Sequence, residues 1–217
     1  VTILPPILLV KGASTCNAIC GRISKKQEGN VTHIRGDYGN GTLSDQIRSS
    51  LCRNVNGLDI HYLEAGFESK NNPLVVLLHG FPELSYSWRK IILPLSELGY
   101  HVVVPDQRGF GATTGWDNSY VTDLSSYHMI NLVRDILGLV SALGYKEVNS
   151  VIGHDSGAGV AGWSALIRPD VYGSVVMMSS PFTGAPSGPL NISYILVIFS
   201  ILTDEFKINF VYCSIMV

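Results

Sequence analysis

An apolar run ends in a short segment that holds two candidate nucleophiles, Asp155 and Ser156. Where a strand turns sharply into a helix, the nucleophile adopts a strained backbone conformation, and the residues two before and two after it must be small. Around Asp155 those positions are Gly153 and Gly157, but centring the turn on Ser156 places His154 at a crowded position. Because an imidazole does not fit there, the spacing favours Asp155 as the nucleophile.

A carboxylate nucleophile restricts the chemistry that this turn could perform. It attacks carbon and forms an ester, which an activated water molecule then hydrolyses. The substrate must therefore offer an electrophilic carbon, as in an epoxide ring or a carbon–halogen bond. The alternative is structural, since an aspartate between a strand and a helix often caps the helix.

A second motif follows another apolar run and reads His79-Gly80-Phe81-Pro82. A loop at this place, between a buried strand and a helix, would turn the Phe81 amide toward the nucleophile. Together with the Ser156 amide it would form an oxyanion hole. We expect His79 to hold the loop in place rather than to act as a base. Pro82 would fix the backbone, and a cis bond after Phe81 is one way to do so.

The elements that must position these motifs are strands and helices that alternate along the chain. Continuous apolar runs indicate strands buried on both faces, three-four apolar spacing indicates helices, and Asn56-Gly57 indicates a hairpin turn. The predicted strands are 60–63, 74–78, 102–104, 148–152 and 174–178, and the predicted helices are 87–98, 129–143 and 160–167. Asp123 or Ser126 could cap the start of the second helix, and Gly144 its end. This alternation predicts an α/β fold with a mostly parallel sheet and helices on both faces.

The residue pattern divides the chain into three predicted regions. Residues 1–50 lack a sustained period and are predicted to be a leader of unknown structure. Residues 51–183 carry the alternating strands and helices. Residues 184–217 are an apolar tail outside that pattern, and the apolar run at 192–202 is shorter than a membrane span needs.

Composition and charge exclude several partners and cofactors. A net charge of −2 over 217 residues gives no electrostatic reason to expect nucleic acid or an anionic membrane. Cys16 and Cys20 have no matching second pair, so neither a zinc site nor any other metal or cofactor is expected. The few, irregularly spaced cysteines favour a reducing compartment, and we therefore predict a cytoplasmic location.

Taken together, the motifs resemble those of the α/β-hydrolase superfamily and, within it, the epoxide hydrolases. They read His79-Gly80-Phe81-Pro82, Trp88-Arg89, Asp106-Gln107-Arg108-Gly109-Phe110-Gly111, Thr113-Thr114-Gly115-Trp116-Asp117, Gly153-His154-Asp155-Ser156-Gly157, Ile167-Arg168-Pro169-Asp170 and Ser179-Ser180-Pro181-Phe182. The resemblance covers about residues 54–183 and implies the three-layer fold of that superfamily. It also implies that Asp155 is alkylated by a small apolar epoxide, and that the Phe81 and Ser156 amides hold the oxyanion. Asp106 and Arg108 are expected to be structural.

The chain departs from the family pattern directly after the nucleophile. Haloalkane dehalogenases typically have a halide-binding tryptophan there, and many epoxide hydrolases have an aromatic residue, whereas this chain has Ser156. Substrate choice is therefore open between an epoxide and, in a dehalogenase of the same fold, a haloalkane. A serine esterase that uses Ser156 is a more remote alternative.

A second departure concerns the histidine that activates water in this family. That histidine follows the nucleophile in chain order, yet the six histidines of this chain all precede Asp155. The helical cap of the family also has no counterpart in residues 184–217. We therefore expect a C-terminally incomplete, N-terminal half of the fold, with the cap and last strands missing and no turnover by this chain. The alternative is a non-catalytic protein that binds a small ligand on a hydrolase core.

Overall fold

The computed structural model describes residues 31–33, 38–39, 41–69, 71–180 and 195–198, and these contain one eight-stranded sheet. Its strands are β1 (Val31–His33), β2 (Arg48–Val55), β3 (Leu58–Ala65), β4 (Leu74–Leu78), β5 (His101–Pro105), β6 (Ser150–His154), β7 (Val175–Met178) and β8 (Ile195–Ile198). Their order across the sheet is β1-β2-β3-β5-β4-β6-β7-β8. The neighbours from β1 to β5 pair antiparallel and those from β5 to β8 pair parallel. The predicted mostly parallel sheet is therefore confirmed.

Three α-helices of the described chain cover both faces of this sheet. They are α1 (Arg89–Glu97), α2 (Met129–Ala142) and α3 (Ser156–Ile167), and single 3-10 turns at Ser85–Trp88 and Leu124–Tyr127 precede the first two. The α1 residue Ile92 packs with apolar side chains on one face, while α2 and α3 pack against the opposite face. The result is the expected three-layer arrangement, in which the central strands β4 and β5 are buried along their whole length.

The hairpin between β2 and β3 turns where the sequence predicts it. Asn56 and Gly57 have φ angles of 49° and 81°, which is the pair of positive values that a two-residue type I′ turn requires. Asn56 also donates a hydrogen bond from its side chain to Asp135 of α2, over 2.6 Å. The turn therefore joins the antiparallel part of the sheet to the helical layer beside it.

The start of α3 and the cap of α2 differ from the prediction. Helix α3 begins at Ser156, four residues earlier than expected. Its first turn packs tightly on the end of β4 at Gly157, and it therefore forms despite the poor helix propensity of Gly157 and Gly159. Asp123 caps the 3-10 turn Leu124–Tyr127 through Ser125 N, not α2 itself, whose N-cap position is His128.

The predicted leader and tail each contribute a strand to the sheet. Val31–His33 pairs with β2, which begins at Arg48, and Ile195–Ile198 pairs in parallel with β7. Predictions for residues 1–30, 181–194 and 199–217, including Cys16, Cys20 and the end of the last family motif, lie outside the described residues. The division at residues 50 and 183 stays a prediction.

Candidate active site

The turn between β6 and α3, residues 153–157, is here called the elbow. Asp155 sits at its apex with φ 51° and ψ −119°, a conformation that L-residues with side chains rarely adopt. Its amide donates to Met178 O over 3.0 Å, and its carbonyl accepts from the Ala158 amide at the same distance. Such strain persists only where the surrounding structure over-determines it, and it often occurs at functional sites.

Close backbone approach explains why the elbow needs glycine on both sides of its apex. A Cβ at Gly153 would lie 2.2 Å from Gly157 O, and a Cβ at Gly157 would lie 2.5 Å from His79 O. The two crowded positions are thus those predicted from a turn centred on Asp155. By contrast, the His154 side chain is about one third exposed and lies 3.4 Å from the Glu83 carboxylate. Ser156 is exposed as the first residue of α3.

The carboxylate of Asp155 meets the 79–83 loop, which follows β4. Phe81 N donates to Asp155 Oδ1 over 3.0 Å, across 74 residues of sequence. Gly80 makes this approach possible, because a Cβ on it would lie 2.6 Å from Asp155 Cβ. The Phe81 amide, followed by the Ser156 amide, lowers the pKa of the Asp155 carboxyl below its ordinary value. The group is therefore an anion at neutral pH.

Histidine and proline side chains fix the backbone of this loop. His79 is fully buried; its Nδ1 lies 2.9 Å from Gly80 O, and its Nε2 accepts from the Gln107 amide over 3.0 Å. Burial lowers the pKa of His79, so the ring is neutral. With both ring nitrogens engaged, His79 is poorly placed to act as a base. The bond from Phe81 to Pro82 is cis.

The third motif builds a buried polar network rather than a second reactive centre. Asp106 is fully buried and accepts from the amides of Ser85 and Ala112 over 2.8 and 2.9 Å. Arg108 forms a two-bond ion pair with Asp135 of α2, with N···O distances of 2.8 and 2.7 Å. Both groups therefore serve to hold loops and helices together.

Three contacts at the site were not predicted from the sequence. The Glu83 carboxylate accepts from Gly80 N over 3.3 Å and lies beside His154. Tyr38, from the predicted leader, donates to Asp106 over 3.0 Å. Gln107 makes two hydrogen bonds to His79. Glu83 could have been considered, since it directly follows the second motif, whereas the irregular sequence around Tyr38 gives no signal.

The aromatic ring of Phe81, whose amide binds Asp155, pairs with that of Phe110 from the third motif. The Phe81 ring is 70% exposed and stands edge-on to Phe110, with 6.2 Å between the ring centroids.

In the described part of the chain, no three His, Cys, Asp or Glu side chains cluster so as to hold a metal ion. No helix among these residues is long and apolar enough to cross a membrane.

Residues 73–200 match the sequence model of the alpha/beta hydrolase fold family, and the chain belongs to that family. The match includes both the 79–83 loop and the elbow, so the family relationship rests on the part of the chain that forms the candidate site. Among its members, the chain is epoxide-hydrolase-like, as the following similarities establish.

Epoxide hydrolase 3 of Siraitia grosvenorii is 40% identical over 138 residues, which are 64% of this chain and 40% of that protein. Epoxide hydrolase B of Mycobacterium tuberculosis H37Rv is 40% identical over 131 residues, or 60% of this chain and 35% of that protein. The crystal structure of an epoxide hydrolase from Vigna radiata superposes with a TM-score of 0.56 at 39% identity, covering 65% of this chain and 41% of that one. The chain thus spans about two fifths of the length of these relatives.

Proposed function

We propose that Asp155 is the nucleophile of an epoxide-opening reaction and that the Phe81 and Ser156 amides form its oxyanion hole. The observation that carries the proposal is the hydrogen bond from Phe81 N to Asp155 Oδ1, made at the apex of a strained turn. A helix-capping role does not account for it, because the Asp155 side chain makes no capping hydrogen bond to α3. The names of the relatives, which are epoxide hydrolases at about 40% identity, support the same chemistry.

The first step forms an ester on the protein. One oxygen of Asp155 stays on the Phe81 amide, and the other attacks a ring carbon of the epoxide. The bond between that carbon and the ring oxygen breaks, and the resulting alkoxide takes a proton from water. The product is a β-hydroxyalkyl ester of Asp155. Asp155 is ionised at neutral pH, as this step requires, since only the ionised carboxylate is nucleophilic.

The substrate class follows from the surface beside the carboxylate. The Phe81 ring, whose own backbone amide binds Asp155, is 70% exposed and stands edge-on to Phe110. Apolar rings bind apolar substituents by excluding water from both surfaces. We therefore propose a small apolar epoxide, with no cofactor, as the substrate.

The second step, hydrolysis of the ester, needs a base that activates water. His61, His79 and His101 are buried, and both ring nitrogens of each are hydrogen-bonded. His154 lies beside Glu83 and the exposed His128 lies near Asp123. The side chain of His33 is outside the described residues, and no histidine follows Asp155 in the sequence. We therefore propose that a polypeptide of these 217 residues forms the ester and accumulates it, without multiple turnover.

Trapping of the ester tests both steps. The chain is incubated with styrene oxide, and intact mass spectrometry measures whether one epoxide mass is added; peptide mapping then locates the adduct. We expect one adduct on Asp155, and none in the Asp155→Asn variant. Asp170→Asn is the matched control, because it removes an exposed carboxylate away from the elbow and should leave labelling unchanged.

The outcomes separate the alternatives. An unlabelled wild-type chain, or an adduct that persists in Asp155→Asn, would refute the nucleophile assignment, and reversible binding without an adduct would favour the ligand-binding alternative. Sustained diol production that depends on Asp155 would refute ester accumulation. A bromoalkane that labels Asp155 faster than the epoxide would favour a dehalogenase, and a fluorophosphonate adduct on Ser156 would favour a serine esterase.

A further inference from the structure

Gln107 binds the start of the 79–83 loop at two points. It follows β5, which is the parallel neighbour of β4, so the loops after the two strands emerge side by side. The Gln107 side chain donates from Nε2 to His79 O over 2.6 Å, and its amide donates to His79 Nε2 over 3.0 Å. One residue therefore fixes both the main chain and the ring of His79.

The bond from the Gln107 amide also sets the tautomer of His79. A neutral imidazole has one N–H, and since Nε2 accepts a hydrogen bond, the proton must lie on Nδ1. Nδ1 then donates to Gly80 O over 2.9 Å. The Glu83 amide donates to the same carbonyl oxygen over 3.1 Å. The Gly80 carbonyl is thus held from two sides.

Fixing that carbonyl aims the Phe81 amide. The peptide bond between Gly80 and Phe81 is trans, so its C=O and N–H groups point in opposite directions. With Gly80 O held by His79 and Glu83, Phe81 N–H points at Asp155 Oδ1, 3.0 Å away. The orientation of the amide is therefore a consequence of the hydrogen bonds on the opposite side of its peptide plane.

Gly80 explains why this loop needs an external anchor. Glycine is required there because a Cβ would lie 2.6 Å from Asp155 Cβ, but glycine also allows the two adjoining peptide planes to rotate most freely. The plane after Gly80 is held by His79 Nδ1, and the plane before it is held at its carbonyl by the Gln107 side chain. The Gln107 side chain thus restricts the freedom that the close approach to Asp155 makes unavoidable.

We propose that Gln107 is a positioning residue for the Phe81 amide, and hence for the oxyanion hole; this rests on the proposed function. It acts through His79 and touches neither substrate nor Asp155. Without its side-chain donor, the peptide before Gly80 rotates, and the Phe81 amide leaves Asp155 for part of the time. Both the pKa of Asp155 and the rate of ester formation then change.

The test replaces Gln107 by methionine, which has a similar shape but no donor. Carbon-13 NMR of labelled aspartate carboxyls, assigned with Asp155→Asn, measures the pKa of Asp155, and epoxide labelling measures the rate of ester formation. We expect Gln107→Met to raise the Asp155 pKa toward its ordinary value and to slow labelling by about tenfold or more, since the Phe81 amide holds the carboxylate in its attacking orientation and a misplacement of about 1 Å can cost on the order of a hundredfold. Gln46→Met, at an exposed glutamine, should change neither.

A second variant keeps the shape of the side chain. Gln107→Glu can donate to His79 O only when protonated, so its labelling rate relative to wild type should rise as the pH falls. This variant decides the question if the methionine variant does not fold. An Asp155 pKa and a labelling rate equal to wild type in a folded Gln107 variant would overturn the proposal. If wild type itself forms no ester, the proposed function fails, while the Asp155 pKa still tests the positioning role.

Discussion

A single methyl group added at Gly157 measures how tightly the elbow packs against the end of β4. The added Cβ would lie 2.5 Å from both His79 O and Leu78 O, and 2.8 Å from the Leu78 carbonyl carbon. These are main-chain atoms in and directly after a central strand, so they cannot rotate away. Gly159, one half-turn further along α3, is a matched control, because a Cβ there would meet only the flexible end of Met129, at 3.5 Å.

The two substitutions should change stability in opposite directions. Alanine is favoured over glycine in a helix by about 1 kcal/mol, and Gly159→Ala should gain roughly 0.5–1 kcal/mol of unfolding free energy. The same gain applies at Gly157, but there the methyl group is roughly 1 Å too close to three backbone atoms. Overpacking costs about 1–3 kcal/mol, and more where the backbone must shift. We expect Gly157→Ala to lose about 2 kcal/mol or more.

Urea unfolding followed by circular dichroism measures both effects. Wild type and the two variants are compared by their midpoints, provided that the slopes agree. Gly157→Ala should also slow epoxide labelling, because His79 O, which it displaces, belongs to the loop that carries Phe81. If the two variants prove equally stable, the first turn of α3 does not lie against β4, and the steric argument for Asp155 over Ser156 fails with it.

Two further predictions concern buried ionisable groups. Although burial opposes its charge, hydrogen bonds from His61, Ala112 and Ser85 hold the pKa of Asp106 well below its usual range; its contribution is therefore complete above the ordinary carboxyl pKa of about 4 and is lost as the pH falls below it. In urea unfolding, Asp106→Asn should be less stable than wild type by about 3–5 kcal/mol at pH 7, and an equal gap at pH 3 would contradict this. Burial raises the pKa of the Cys52 thiol to about 11, so iodoacetamide at pH 8 should modify Cys52, located by peptide mapping, only after unfolding; rapid modification of the native chain would refute its burial.

The local elements were predictable where the sequence pattern is strong. The apolar run at Leu74–Leu78 has the same bounds as β4. A strand buried on both faces is apolar at every position, so the apolar run itself marks where the strand begins and ends. The turn at Asn56 and Gly57 was equally clear. The start of α3 was not, since Gly157 and Gly159 lower the helix signal there, although close packing demands glycine only at Gly157.

The contacts that join distant segments could not be predicted from the pattern. Tyr38 reaches Asp106 from a region without regular period, and no local signal connects Gln107 with His79. Likewise, the sequence does not reveal that β3 pairs antiparallel with β5. Such contacts depend on the order of strands across the sheet, which several topologies with the same elements would satisfy differently.

Strand order explains why the 79–83 loop can be held as it is. In the chain β4 precedes β5, yet in the sheet β4 lies between β5 and β6. Because the three strands are parallel, the loops that follow them all lie at the carboxyl ends of the strands. The loop after β4 therefore has a neighbouring loop on each side. Gln107 anchors it from the β5 side, and Asp155 receives its amide on the β6 side. Were β4 at the edge of the sheet, only one of these contacts could form, and the amide would have either an anchor or a carboxylate to bind, but not both.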